Sequence, residues 1–160
     1  MVTVDTSFLV SFLLKSDVFH NKSIELFEKL LEENEIIVIN NLVISELITL
    51  ANIKYSDYKQ SFTLFIKEFL NTNKFYFVHY IDQSEFASIL DISLSNDISF
   101  TDNSVILTSL KYKNPQLISY DKNQLKIFAQ YKNDILNQKS FLVEDKNSKK
   151  YPARKRHKKL

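Results

Sequence analysis

Four carboxylates stand almost alone among apolar residues in this 160-residue chain. Asp5 is the sole charge in MVTVDTSFLVSFLL, and Glu46 is the sole charge between Glu35 and Lys54. Asp102 is the sole charge from Ile98 to Leu110, and Asp121 is the first after Lys113. An acid in low-dielectric surroundings is costly to ionise unless a cation or hydrogen bonds compensate. Two carboxylates about 4 Å apart repel by roughly 4 kcal/mol at an effective dielectric near 20. A cluster of four is therefore stable and ionised only around a cation, and hard oxygen donors select Mg²⁺ or Mn²⁺. Each acid also has a plainer reading. Asp5 and Asp102 suit helix caps, Asp121 suits the start of a turn, and Glu46 suits a solvent-facing helix position.

Chain-wide patterning gives these residues their places. Short apolar runs alternate with helical periodicity, which predicts strands at 2–4, 36–39, 75–80 and 116–120, with a last short one at 141–143. Helices are expected from about Thr6, from about Asp17, from an Asn40 or Asn41 cap to about Ile53, and over 58–70, 83–94, 102–111 and 122–131. In the second helix Ile24, Phe27, Leu30 and Leu31 share a face, and Glu25 and Lys29 form an exposed pair. Phe62, Phe65 and Phe69 recur at helical spacing and are expected to pack against the sheet or a partner subunit. Strands alternating with helices imply an α/β fold, a parallel sheet covered by helices on both faces in three layers. Asp5 and Asp121 then follow strands directly, at the carboxyl ends where open α/β sheets bind ligands.

Composition excludes other chemistries. There is no cysteine, hence no disulfide framework and no thiolate zinc site. His20, His79 and His157 lack metal-ligand spacing, and the absence of glycine rules out a P-loop or dinucleotide fingerprint. Without glycine, left-handed turns fall to asparagine, with Asn34, Asn73, Asn96 and Asn114 placed where helices and turns must stop. No targeting signal and no bilayer-length apolar run is visible, so the expected setting is the cytoplasm, with no membrane partner.

Charge divides the chain into a domain at 1–145 and a basic tail at 146–160. The tail holds eight Lys and Arg and no acid, leaving thirteen basic against nineteen acidic residues before it, a body of −6 and a tail of +8. Lys149, Lys150, Arg154, Lys155, Arg156, Lys158 and Lys159 are its candidate phosphate contacts, with a solvated terminus as the alternative.

VDTSFLV, VISELITL, ISFTDNSVI and LISYDKNQL resemble, in sequence and in order, the motifs of PIN-domain nucleases, most closely the VapC-like toxins of toxin-antitoxin systems. The resemblance spans about residues 2–130. It implies a PIN-like fold in which Asp5, Glu46, Asp102 and Asp121 form the metal-binding catalytic site. Asp5 and Asp121 would be direct ligands, Asp102 a ligand or water orienter, and Glu46 a base or a contact through water. Thr6, Ser7 and Ser119 would support them, and Asp97 stands where some relatives carry another acid. The chain departs from the pattern at Asn123, where relatives often have a second acid.

The implied activity is phosphodiester hydrolysis of RNA with one or two Mg²⁺ or Mn²⁺ ions. The implied partners are a small antitoxin protein and a second copy of the chain in a homodimer. Three alternatives remain: a PIN nuclease of RNA processing or DNA cleavage, a non-catalytic RNA-binding PIN-like module, and a phosphoacceptor receiver domain. The receiver fits poorly, because it wants adjacent acids after the first strand, and Asp5 is followed by Thr6. If the tail grips phosphates, removing residues 146–160 flattens the salt dependence of RNA binding by about 0.7 in log-log slope per lost contact. An unchanged slope in a salt titration would make the tail passive.

Overall fold

The computed structural model describes residues 1–79 and 83–134. The chain enters the fold at once through β1 (Val2–Val4), followed by α1 (Thr6–Leu13) and α2 (His20–Glu32). Next come β2 (Ile37–Asn40), α3 (Asn41–Ile53), a single 3₁₀ turn at Ser56–Tyr58, α4 (Lys59–Leu70) and β3 (Phe75–Val78). The described part closes with α5 (Gln83–Asn96), α6 (Phe100–Leu110), β4 (Leu117–Ile118) and a helix, α7, from 122 to at least 134. The strand expected at 141–143 and the basic tail lie outside the described residues.

All strand pairs are parallel, in the order β3-β2-β1-β4. The chain steps outward from β1 through β2 to β3, then returns to place β4 on the free side of β1. Thr3 pairs with Leu117 and Val4 with Ile118. That reversal puts a crevice beyond the carboxyl ends of β1 and β4, the position open α/β sheets use for ligands. The central strands are buried throughout their length, as a parallel sheet covered by helices on both faces requires.

The larger core joins these strands to Phe8 and Leu9 of α1, Val43 and Leu47 of α3, and Phe62 and Phe69 of α4. A smaller cluster of Ile106, Ile127 and Phe128 seats α7 on α6. Phe62 and Phe69 are buried, and Phe65 packs against Phe12 with ring centroids 5.7 Å apart, so the aromatic stripe is core as its spacing indicated.

Several local expectations give way. The second helix begins at His20 and not near Asp17, whose carboxylate instead accepts from the Phe19 amide at 2.8 Å and shapes the entry loop. Lys29 pairs with Glu33 at 3.8 Å and not with Glu25. Among the described residues only Asn34 and Asp97 adopt left-handed backbone, at φ 54° and 53°. Asn73 and Asn114 turn without it. Asn96 remains in α5, its amide donating to the Ile92 carbonyl and the Tyr131 hydroxyl, and passes the left-handed position to its neighbour.

One buried side chain ties sheet to helices. Asn40, fully buried at the end of β2, accepts from the Leu42 and Val43 amides through Oδ1 and so caps α3. Its Nδ2 donates to Ser104 Oγ at 3.0 Å and Thr108 Oγ1 at 3.1 Å on α6. Asn40→Ala removes a cap and two buried hydrogen bonds together. A loss of about 2–4 kcal/mol is expected in urea unfolding, and a loss under about 0.5 kcal/mol, the level of an ordinary surface change, would contradict this reading.

Candidate active site

Asp5 is the first residue past β1 and the N-cap of α1, and it is 2% exposed. Its Oδ1 accepts from the Phe8 amide at 2.9 Å. The Ser7 hydroxyl donates to it at 3.0 Å, and the Ser119 hydroxyl donates to Oδ2 at 2.8 Å. Both serines are then used again. Ser7 Oγ accepts from the Tyr120 amide at 2.9 Å, and Ser119 Oγ accepts from the Asp121 amide at 2.8 Å. The segment leaving β4 is thus buttoned to the segment leaving β1, with the Asp5 amide donating to the Ile118 carbonyl beside it.

Asp121 ends that buttoned segment. Its Oδ1 accepts from the Asn123 and Gln124 amides, at 2.7 and 3.0 Å, which makes it the N-terminal anchor of α7. Asp102 lies one turn into α6, which starts at Phe100, two residues before the sequence pattern placed it. The cap is Ser99, and its hydroxyl donates to Asp102 Oδ2 at 2.6 Å while accepting from the Asp102 amide at 3.0 Å, a reciprocal capping box. The buried Gln124 amide reaches across from α7 to the Asp102 carbonyl at 3.1 Å and to Oδ1 at 3.3 Å. Glu46, six residues past the α3 cap, accepts from Thr6 Oγ1 at 2.5 Å.

All four carboxylates line one cleft of about 430 Å³. That volume falls within the ~300–1,000 Å³ typical of small-molecule sites. Thr6 and Ser7 line it too, as do three residues the sequence did not single out: Asp17, Phe19 and Tyr120. Tyr120 sits inside the quoted LISYD run, so its position was legible there and its role was not. Asn40 is the α3 cap the sequence offered, but its reach to α6 was missed, as was Gln124, because a buried amide carries no signal in apolar periodicity. Asp97 does not join the cleft lining; it turns the chain between α5 and α6. The tail lysines and arginines fall outside the described residues.

Electrostatics mark the cleft as unfinished. Burial pushes the Asp5 carboxyl up to about 6, against hydrogen bonds from Phe8, Ser119 and Ser7 that lower it, and the Asp102 charge adds to the rise. Burial likewise raises Asp102 above the usual carboxylate range, with the Asp121 charge contributing. Among the described residues none of the four acids has a cationic side-chain partner. Nor are any three His, Asp or Glu side chains there drawn into a formed metal cage. The donor set still suits a hard cation, since Mg²⁺ keeps several waters and takes only one or two carboxylates directly. Asp5, Asp102 and Asp121 line the cleft where such a cation could sit. No helix among the described residues is long and apolar enough to cross a membrane.

Comparison with known proteins agrees with the fold. The PIN domain family model matches residues 2–130. Among solved structures, the chain is similar to VapC20 of Mycobacterium tuberculosis, a Sarcin-Ricin loop cleaving toxin. The TM-score is 0.65 at 14% identity, over 79% of this chain and 95% of that one. No curated protein sequence matches.

The raised Asp5 carboxyl makes a signed prediction. A group whose folded value lies above its unfolded one binds extra protons when folded, so its contribution to stability is present below about pH 4 and is lost as pH rises through about 6. In chelator, Asp5→Asn should therefore gain on the wild type between pH 4.5 and 7.5, by on the order of 1–3 kcal/mol in urea unfolding. Adding Mg²⁺ at pH 7.5 should raise the melting temperature of the wild type and not that of the variant. A variant that loses ground with rising pH would overturn the assignment.

Proposed function

The chain belongs to the PIN-domain family, and on that premise we propose that it is a divalent-cation-dependent endoribonuclease, the toxin of a VapBC-type toxin-antitoxin pair. One observation carries the reading. Four acids from four separate segments line a single cleft, and among the described residues no cationic side chain neutralises them. Residues serving only as caps would gain nothing from sharing a mouth, where their mutual repulsion costs stability. The likeness to a toxin that cuts the sarcin-ricin loop supports RNA as the substrate.

Bound in the cleft, Mg²⁺ or Mn²⁺ would supply the Lewis acidity that activates water and offsets charge on the phosphodiester. The chain's own residues do the positioning. Asp5, fixed by three donors, and Asp121, fixed by the first turn of α7, present carboxylate oxygens from neighbouring strand ends. Asp102 is aimed by Ser99 and Gln124 and would help hold the cation or orient the attacking water. Glu46, steadied by Thr6, is the group placed to take a proton from that water. Ser7 and Ser119 contribute by holding Asp5 and the 119–121 segment in register.

A small antitoxin covering the acidic mouth, a homodimer and a cytoplasmic setting belong to the same proposal. The +8 tail favours a second reading, a PIN nuclease of RNA processing, since it offers phosphate contacts independent of the cleft.

The test is cleavage of a labelled structured-RNA pool by purified protein with Mg²⁺ or Mn²⁺. Chelator and Asp5→Asn should each abolish cutting. Ser119→Ala should slow it by about 10- to 100-fold, the usual cost of losing a partner that orients a metal ligand. Expression should arrest growth in the wild type and not in Asp5→Asn. Metal-independent cutting, or cutting that survives Asp5→Asn, would refute the mechanism.

A further inference from the structure

Beside the carboxylates the cleft carries an aromatic platform that acid chemistry does not require. Phe19, at the entry of α2, is 41% exposed and lines the cleft. Its ring stacks on Tyr120 with centroids 4.3 Å apart and planes 9° from parallel. Tyr120 is held in place from several directions. Its hydroxyl bonds Ser23 Oγ at 2.8 Å, its amide donates to Ser7, and Phe8 packs at 6.2 Å. Phe19 is fixed as well, its amide donating to Asp17 Oδ1 and its carbonyl accepting from the Ser23 amide. One face of Phe19 is covered by Tyr120, and the residue still keeps 41% of its surface exposed at the cleft, room for a planar group. Because the pair is already ordered, stacking on it costs little side-chain entropy.

Charge at the same mouth points the same way. Five carboxylates line it, counting Asp17, and Lys54 is the sole cation among the lining residues. Lys54 ends α3, with Nζ 5.1 Å from the centroid of the Tyr55 ring, which itself packs on Phe62. Lys22 lies on the platform side, 5.9 Å from the Tyr120 centroid. Among the described residues neither lysine has a carboxylate partner. An exposed aromatic residue and an ammonium with no carboxylate partner, flanking a cleft read as phosphodiester-cutting, match the two halves of a nucleotide, a base and a phosphate.

We propose that Phe19, backed by Tyr120, stacks one unpaired base of the substrate strand next to the cut, while Lys54 holds a flanking phosphate. The enzyme then selects RNA whose nucleotides at the cut are unpaired, because a base inside a duplex is already stacked on both faces and cannot lie on Phe19. This deepens the nuclease reading above and rests on it.

Binding separates the two. The probe is a single-stranded RNA oligonucleotide carrying 2-aminopurine, titrated with Mg²⁺ into full-length protein bearing Asp5→Asn, so that nothing is cut. Adding Phe19→Ala should weaken binding by about 5- to 150-fold, the loss expected for one stacked base, and abolish the fluorescence change that reports stacking. Phe19→Trp should restore both. Lys54→Ala should reduce the salt slope by about 0.7. A duplex of the same sequence should bind weakly and be indifferent to Phe19. If Phe19→Ala binds the single strand as tightly as its parent while the wild type still cuts RNA, the subsite is refuted and the nuclease stands. If the wild type neither binds nor cuts RNA, both fall.

Discussion

The buried Asp5 carboxylate is the constraint around which this molecule is arranged. It sits at the end of the central strand, out of water, and its charged form is tolerated only because Phe8, Ser7 and Ser119 donate to it. Each of the two serines passes its remaining capacity to a backbone amide beyond β4. The position of Tyr120 and Asp121 therefore depends on Asp5, and so does the start of α7 that Asp121 caps. A hydrogen-bonded chain of this kind is fully satisfied on the protein side and short of positive charge, a state suited to receiving a cation.

Structure and chemistry are served by the same side chains. Asp5 caps α1, Asp121 anchors α7, and Asp102 closes a capping box with Ser99. The plainer reading of Asp5 as a cap and of Asp121 as a turn start is thus also true, while α6 is capped by Ser99 and not by Asp102; none of this competes with a place in the cleft. An N-cap fixes a carboxylate against free amides at a strand-to-helix junction, and in a parallel sheet such junctions gather along one edge. Capping holds these carboxylates rigid, and the sheet supplies their convergence. Asn40 extends the same economy to the core, capping α3 while joining it to α6.

Reading residues one by one worked where a single local force decides the outcome. Apolar runs became strands, the two central ones buried throughout, and the α3 and α4 patterns fixed their helices closely. It failed where the outcome hangs on competition. The start of α2 moved to His20 because Asp17 found a nearer amide in Phe19, and α6 began earlier because Ser99 caps better than the pattern suggested. The left-handed turn after α5 fell to Asp97 and not Asn96, whose side chain was already engaged by Ile92 and Tyr131. Asp97 entered the expected site because some relatives carry an acid there; here it takes the left-handed turn after α5 and does not line the cleft.

What the sequence determined by itself was the inventory. It fixed four isolated acids, their places after strands or on helix walls, and the α/β alternation that must carry them, because solitary charge and apolar period are properties of neighbours along the chain. Only the tertiary structure decided that β4 returns to lie beside β1 and not beyond β3, which is what brings Asp121 to Asp5. It also decided that Ser7 and Ser119 lock that edge, that Gln124 reaches Asp102, and that Phe19 lies flat on Tyr120. Those contacts join residues up to 114 positions apart, and strand order is set by how the whole core packs, which no local window of sequence contains.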